Sequence, residues 1–111
     1  MHLLWTILEG VIEIAPLSFI RGRTFNNSIL IMDEAQNATI HELKTVITRM
    51  GENSKIILLG DVDQIDTPYI DSLSNGLTVV SEIFKKESCA AHISLRRGER
   101  SNLSAVAAKI I

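Results

Sequence analysis

Cysteine is nearly missing from this chain: Cys89 is the only one among 111 residues. That excludes an internal disulfide and a cysteine-based zinc cluster, and it fits a reducing compartment. No apolar run approaches the roughly 18 residues of a membrane-spanning helix. The start Met1-His2-Leu3-Leu4-Trp5 lacks a basic segment ahead of its apolar residues, so no signal peptide is read. The expectation is a cytoplasmic protein without membrane contact. An excess of positive charge is absent too. Eleven Lys and Arg against 13 Asp and Glu leave a net charge of −2, so contact with a polyanion must be local. His2, His41 and His92 show no metal-ligand spacing. The most consequential absence is a motif. Nowhere does the chain contain G-x-x-x-x-G-K-[ST], the loop whose backbone and lysine cradle a nucleotide's phosphates.

What is present is apolar for so short a chain. Hydrophobic residues make up 46% and the mean hydropathy is +0.21. A chain of this length buries only about two-thirds of its unfolded surface, so part of that apolar character suits a surface that packs against something else. Leu3, Leu4, Ile7, Leu8 and Val11 recur at helical spacing and predict a first helix, with Gly10 helping to end it. A short strand follows at residues 11–14, closed by Ala15-Pro16, and residues 17–27 read as a loop. Residues 28–32 form an apolar strand. Thr39 with Glu42 is a capping box opening a helix whose Leu43, Val46, Ile47 and Met50 share a face, with Gly51 as the stop. Residues 55–59 predict a buried strand, and residues 61–75 a polar turn region around Pro68. Leu77, Val80, Ile83 and Phe84 lie on a second amphipathic helix ending in Lys85-Lys86. Residues 91–95 predict a further strand. Ser101 caps a last helix with Leu103, Val106, Ala107 and Ile110 facing inward. Alternating strands and helices of this kind mean an α/β fold: a parallel sheet with helices on both faces.

In such sheets ligands bind beyond the C-terminal ends of the strands. Three polar clusters fall at those ends: Asp33-Glu34-Ala35-Gln36, Gly60-Asp61-Val62-Asp63-Gln64, and Arg96-Arg97-Gly98-Glu99-Arg100. The first follows Leu30-Ile31-Met32, and an apolar strand delivering Asp-Glu to its tip is the Walker B arrangement of P-loop NTPases. One carboxylate there can hold Mg²⁺ and the next can orient or deprotonate the attacking water. A carboxylate pair after a strand also arises because helix starts favour acids. Three polar tips on one sheet edge weigh against that plainer reading.

The order and spacing of several segments is more specific. Ile12-Glu13-Ile14-Ala15-Pro16-Leu17, Arg21-Gly22-Arg23-Thr24, Ile31-Met32-Asp33-Glu34-Ala35-Gln36-Asn37 and Leu59-Gly60-Asp61-Val62-Asp63-Gln64-Ile65-Asp66 together closely resemble the PhoH-like ATPases. The resemblance runs from about residue 12 to the end. The tail Leu95-Arg96-Arg97-Gly98-Glu99-Arg100-Ser101 looks like the branch in which this domain follows a PIN nuclease domain. It implies a partial P-loop NTPase core related to superfamily 1 helicases, with residues 1–111 as its C-terminal portion. The family's Walker A motif and strand lie N-terminal to every segment of this chain. The resemblance also implies ATP and Mg²⁺ as cofactors and RNA, or another single-stranded nucleic acid, as partner. In that reading Asp33 is the Mg²⁺-side carboxylate and Glu34 the water activator. Gly60, Asp61 and Gln64 match the helicase motif that senses the γ-phosphate, Gln36 lies near the phosphates, and Arg100 is the arginine that reaches the transferring phosphoryl group.

Plainer readings stand beside these. Gln64 also suits an ordinary turn, Gln36 and Asn37 suit the turn before a helix cap, and Arg100 suits an exposed pair with Glu99. Arg21 and Arg23, with Phe19 and Phe25 nearby, suit a single-stranded nucleic-acid groove, a loop anchored to the core, or a subunit contact. Tyr69, Asp71 and Ser72 read as a turn with no assigned role. The leading reading is the C-terminal portion of an ATP-hydrolysing protein that remodels nucleic acid; a separate possibility is a chain that starts late, at an internal methionine. The alternative is a non-catalytic remnant or interaction module. A sheet missing the strand that carries the phosphate loop would leave an unpaired edge, so a homo-oligomer is expected.

Overall fold

The computed structural model describes residues 3–8, 11–65, 75–96 and 98–111. Four strands form one sheet: β1 (Leu3–Leu8), β2 (Val11–Pro16), β3 (Ser28–Met32) and β4 (Lys55–Leu58), in the order β2-β1-β3-β4. Three α-helices accompany them among the described residues: α1 (Ile40–Ile47), α2 (Gly76–Ile83) and α3 (Asn102–Ile110).

Residues 3–8 are a strand and not the expected helix. Leu8 lies opposite Val11 and Leu3 opposite Pro16 in an antiparallel ladder. On its other side β1 pairs antiparallel with β3, Leu4 facing Met32 and Leu8 facing Ser28. The helical spacing of the apolar residues loses for two reasons. Trp5, Thr6 and Ile7 are strand-favouring types, and a strand here satisfies backbone groups on both of its edges, which a short isolated helix cannot match.

The sheet is therefore mixed, not parallel throughout. Among the described strands only β3 and β4 run parallel, with Leu30 beside Ile56 and Met32 beside Leu58. Residues 33–54, which include α1, supply the long crossover that a parallel pair requires. The capping box forms as the sequence predicts: Thr39 Oγ1 accepts from the Glu42 N–H at 3.1 Å, and Glu42 Oε1 accepts from the Thr39 N–H at 3.2 Å. The helix ends at Ile47, ahead of Gly51. Gly51 has a different duty, because a Cβ there would overlap the Asn26 side chain.

Nor do the described residues cover both faces. Leu30 and Met32 point to one face, where Leu43 and Val46 of α1, Val80 of α2, and Ile20 and Phe25 from the loop after β2 close over them. Ile12, Ile14, Ile29 and Ile57 lie on the opposite face and stay exposed. Residues 91–95 do not form the expected strand. They have no regular structure, and Ile93 and Leu95 are open to solvent. Helix α3 forms where Ser101 predicts, its Oγ accepting from the Ser104 N–H at 3.2 Å. Its apolar residues are not inward as expected, for it buries none of them. The turn around Pro68, with Asp66, Tyr69, Asp71 and Ser72, and also Arg97 and Gly10, lie outside the described residues.

Candidate functional site

Because β3 and β4 are parallel neighbours, the loops that follow them leave the same edge of the sheet. Backbone bonds extend the pairing past the strands. The Leu59 N–H donates to the Met32 carbonyl at 2.9 Å, and the Ala35 N–H donates to the Leu59 carbonyl at 2.8 Å. Asp33 and Glu34 stand exposed between these contacts. Glu34 adopts a left-handed backbone, φ 55° and ψ 35°. For a residue with a Cβ and no short amide this costs about 1–3 kcal/mol, a strain found where geometry serves a site. Asp33 Oδ1 accepts the Glu34 N–H at 2.8 Å and so supports that turn. The other left-handed non-glycine residues among those described, Asn27 and Asn53, are of a type that tolerates the conformation and bond each other side chain to side chain.

Gln36 joins the two loops. Its side chain is completely buried. Nε2 donates to Glu34 Oε2 at 2.6 Å and to the Gln64 carbonyl at 3.0 Å, while Oε1 accepts from the Asp61 N–H at 3.1 Å. Gly60 is required beside it, since a Cβ there would come within 2.7 Å of both Gln36 Oε1 and Leu77 Cδ2. Asp61 organises the second loop: its carboxylate accepts from the Asp63 N–H at 2.9 Å and from Gln64 Nε2 at 3.1 Å. The N-terminus of α2 completes the corner, the Gly76 N–H donating to the Ala38 carbonyl at 2.8 Å. Asp33, Glu34, Gln36, Gly60, Asp61 and Gln64 are thus gathered at one edge. Sequence reasoning missed the burial of Gln36 and the left-handed turn at Glu34. The nearest signal was the polar Gln36 ahead of the apolar Ala38, which turn chemistry equally accounts for.

The predicted arginines separate. Arg23 pairs with Glu13 through two bonds, 2.8 and 3.1 Å, and lies 4.7 Å from the centre of the Phe25 ring. The hydrogen bond from Arg23, helped by its charge, lowers the Glu13 carboxyl below its ordinary range, and Glu13 in turn raises Arg23. Arg23 therefore ties the loop to β2 and, through Phe25, to the core. Arg21 points outward, and Phe19 is exposed beside it in sequence. Arg96 and Arg100, of the third polar tip, are exposed and make no hydrogen bond or ion pair among the described residues. The strand that was to deliver that tip does not form.

Residues 3–111 match the family described as PhoH-like protein. The chain belongs to this family. It is 50% identical over 107 residues, 95% of its length, to the protein PhoH2 of Bacillus subtilis (strain 168), of which it covers 24%. A PhoH-like protein of the same organism is 49% identical over 77 residues, 69% of this chain and 24% of that relative. The protein PhoH of Escherichia coli (strain K12) is 44% identical over 78 residues, 70% of this chain and 22% of that relative. The chain thus spans about a quarter of the length of the curated relatives it matches.

No three potential metal ligands gather among the described residues. Mg²⁺ typically keeps several waters and takes one or two carboxylates plus substrate phosphates, a mode that the exposed Asp33 fits. Among the described residues no helix is long and apolar enough to cross a membrane.

Proposed function

We propose that this PhoH-like chain carries the water-activating and phosphate-sensing edge of an ATPase that acts on RNA or another single-stranded nucleic acid. Residues 1–111 then correspond to the C-terminal portion of a P-loop NTPase domain of the superfamily 1 helicase type, working in the cytoplasm. One observation supports the reading above the rest: the Asp-Glu tip of β3 and the Gly60–Gln64 loop are bonded together through Gln36. Asp33 would hold Mg²⁺, which neutralises charge on the transferring phosphate. Glu34, turned outward by its left-handed backbone, takes a proton from the attacking water. Gln64 offers an amide to a phosphate oxygen, and Arg100 is the cation proposed to reach the transferring phosphoryl group. Arg21 with Phe19 offers one cation and one ring to a single strand, whereas Arg23 is committed to Glu13.

The test is phosphate release by the full-length protein with and without single-stranded RNA. Glu34→Gln should leave nucleotide binding intact and reduce turnover by about 10²–10⁴-fold, because the amide keeps the shape but takes no proton. Asp33→Asn should weaken binding and Mg²⁺ dependence together. Equal, modest losses from the two substitutions would mean that neither carboxylate has its proposed role. A second reading, an interaction module without turnover, draws on the missing phosphate loop and the exposed isoleucines of the sheet. Under either reading residues 1–111 bind Mg-ATP poorly, since two carboxylates offer only like charge to a triphosphate. Micromolar affinity by calorimetry would contradict that.

A further inference from the structure

We infer that Gln36 is a positioning residue, a buried bracket that sets the direction of the Glu34 carboxylate according to the position of the 61–64 loop. The inference rests on the water-activating role proposed for Glu34. A primary amide has two protons and one carbonyl oxygen, and each of these is engaged in Gln36. The protons go to Glu34 Oε2 and the Gln64 carbonyl, and the oxygen takes the Asp61 N–H. Two acceptors on one side and a donor on the other admit only one orientation of the amide. The side chain is completely buried, and it lies so close to Gly60 that a Cβ there would come within 2.7 Å of Gln36 Oε1. Gln36 accordingly has no donor to spare for a phosphate.

The bond to Glu34 is the shortest of the three and involves an ionised partner, the stronger class of hydrogen bond. Glu34 has no other side-chain partner among the described residues, so this bond determines where its exposed carboxylate points. The opposite end of the bracket holds the backbone of Asp61 and Gln64. Movement of Gln64 toward a phosphate oxygen displaces its carbonyl, and through Gln36 that displacement reaches Glu34. The loop that meets the ligand and the group that takes the proton are then set together, with no need for them to touch. Leucine at 36 removes all three bonds. Glutamate, which has the same shape, keeps the acceptor for Asp61 but cannot donate while ionised.

The test is a double-substitution cycle in the full-length protein, read as kcat and KM for ATP. Gln36→Leu and Gln36→Glu should each lower kcat about 10- to 100-fold, the usual cost of a misplaced catalytic group. KM should stay within about threefold, since no ground-state contact is lost. Combined with Glu34→Gln, neither should slow the enzyme further, because orienting a base that is already gone gains nothing. Losses that multiply instead would overturn the inference and leave Gln36 a packing residue. If Gln36→Leu fails to fold, the glutamate variant decides. A wild-type protein that turns over no ATP would remove the proposed function, and amide hydrogen exchange then tests the bracket. Glu34→Ala should speed exchange at the Asp61 amide, which Glu34 does not touch, by at least about threefold, and should do so only while Gln36 is present. An Asp61 amide indifferent to residue 34 would refute it.

Discussion

The two faces of the sheet are built from the same kinds of residue and meet opposite fates. On one, Leu30 and Met32 are fully buried under Leu43, Val46 and Val80. On the other, Ile14 is 54% exposed and Ile57 44%, as apolar as anything in the core. Alternation along β3 explains how one strand serves both: Leu30 and Met32 face one way, Ile29 and Ile31 the other. A strand apolar on both sides is the pattern of a sheet covered on both faces. Here the crossover lays α1 over one face, and α2, which follows β4, packs on the same side; the described residues leave the other face open. Hydrophobicity thus specifies that a face wants cover, and connectivity determines whether this chain supplies it.

Substitution on the two faces should separate them most sharply. Leu30→Ala should cost about 2–5 kcal/mol, the range for truncating a fully buried leucine. Ile57→Ala should change stability by about 0.5 kcal/mol or less, as exposed sites do. Denaturant midpoints would measure both, and similar losses would mean that the second face is covered in solution.

Self-association is the next largest effect. If the exposed isoleucines pack against a second molecule, Ile14→Lys with Ile57→Lys should weaken self-association by about tenfold or more, equivalent to about 1.4 kcal/mol. Sedimentation across a dilution series reads this. A wild-type chain that stays monomeric at high micromolar concentration would show that the face needs no partner.

Helix caps extend the contrast to the helices. Thr39→Ala should cost about 1 kcal/mol, because its capping box anchors α1 to the covered face. Ser101→Ala removes a similar cap from α3, which buries nothing, and should leave the global unfolding midpoint unmoved while loosening the helix locally. A large global effect of Ser101→Ala would place α3 in the cooperative unit.

The smallest effect concerns pH. Arg23 holds the Glu13 carboxyl below its ordinary value, so the folded state binds a proton there less readily than the unfolded chain. This contribution is complete above the unfolded carboxyl's range and is lost as pH falls through the lowered folded value. Thermal unfolding of the wild type should weaken slightly in that acid window. Glu13→Gln should lack that part of the pH dependence, and an identical profile would show the pair to be without consequence for folding.

Local signals carried far in this chain. The strands at 28–32 and 55–58, the capping box at Thr39 and Glu42, and the Ser101 cap were legible because short-range periodicity and capping chemistry decide them, although β4, expected to be buried, is exposed at Ile57 and half-buried at Ile56 and Leu58. Asp33, Glu34, Gly60, Asp61 and Gln64 could be marked as one group because parallel strands bring their C-terminal ends together. Tertiary structure decided the rest. Residues 3–8 satisfy a helical spacing, but as a strand they pair on both edges. Residues 91–95 look like a strand, yet no neighbouring strand is bonded to them. Gln36 reads as a turn residue until two loops close on it and bury it. Backbone hydrogen bonds need partners distant in sequence, and a side chain's burial depends on what lies across from it, so neither is written in the local order of residues.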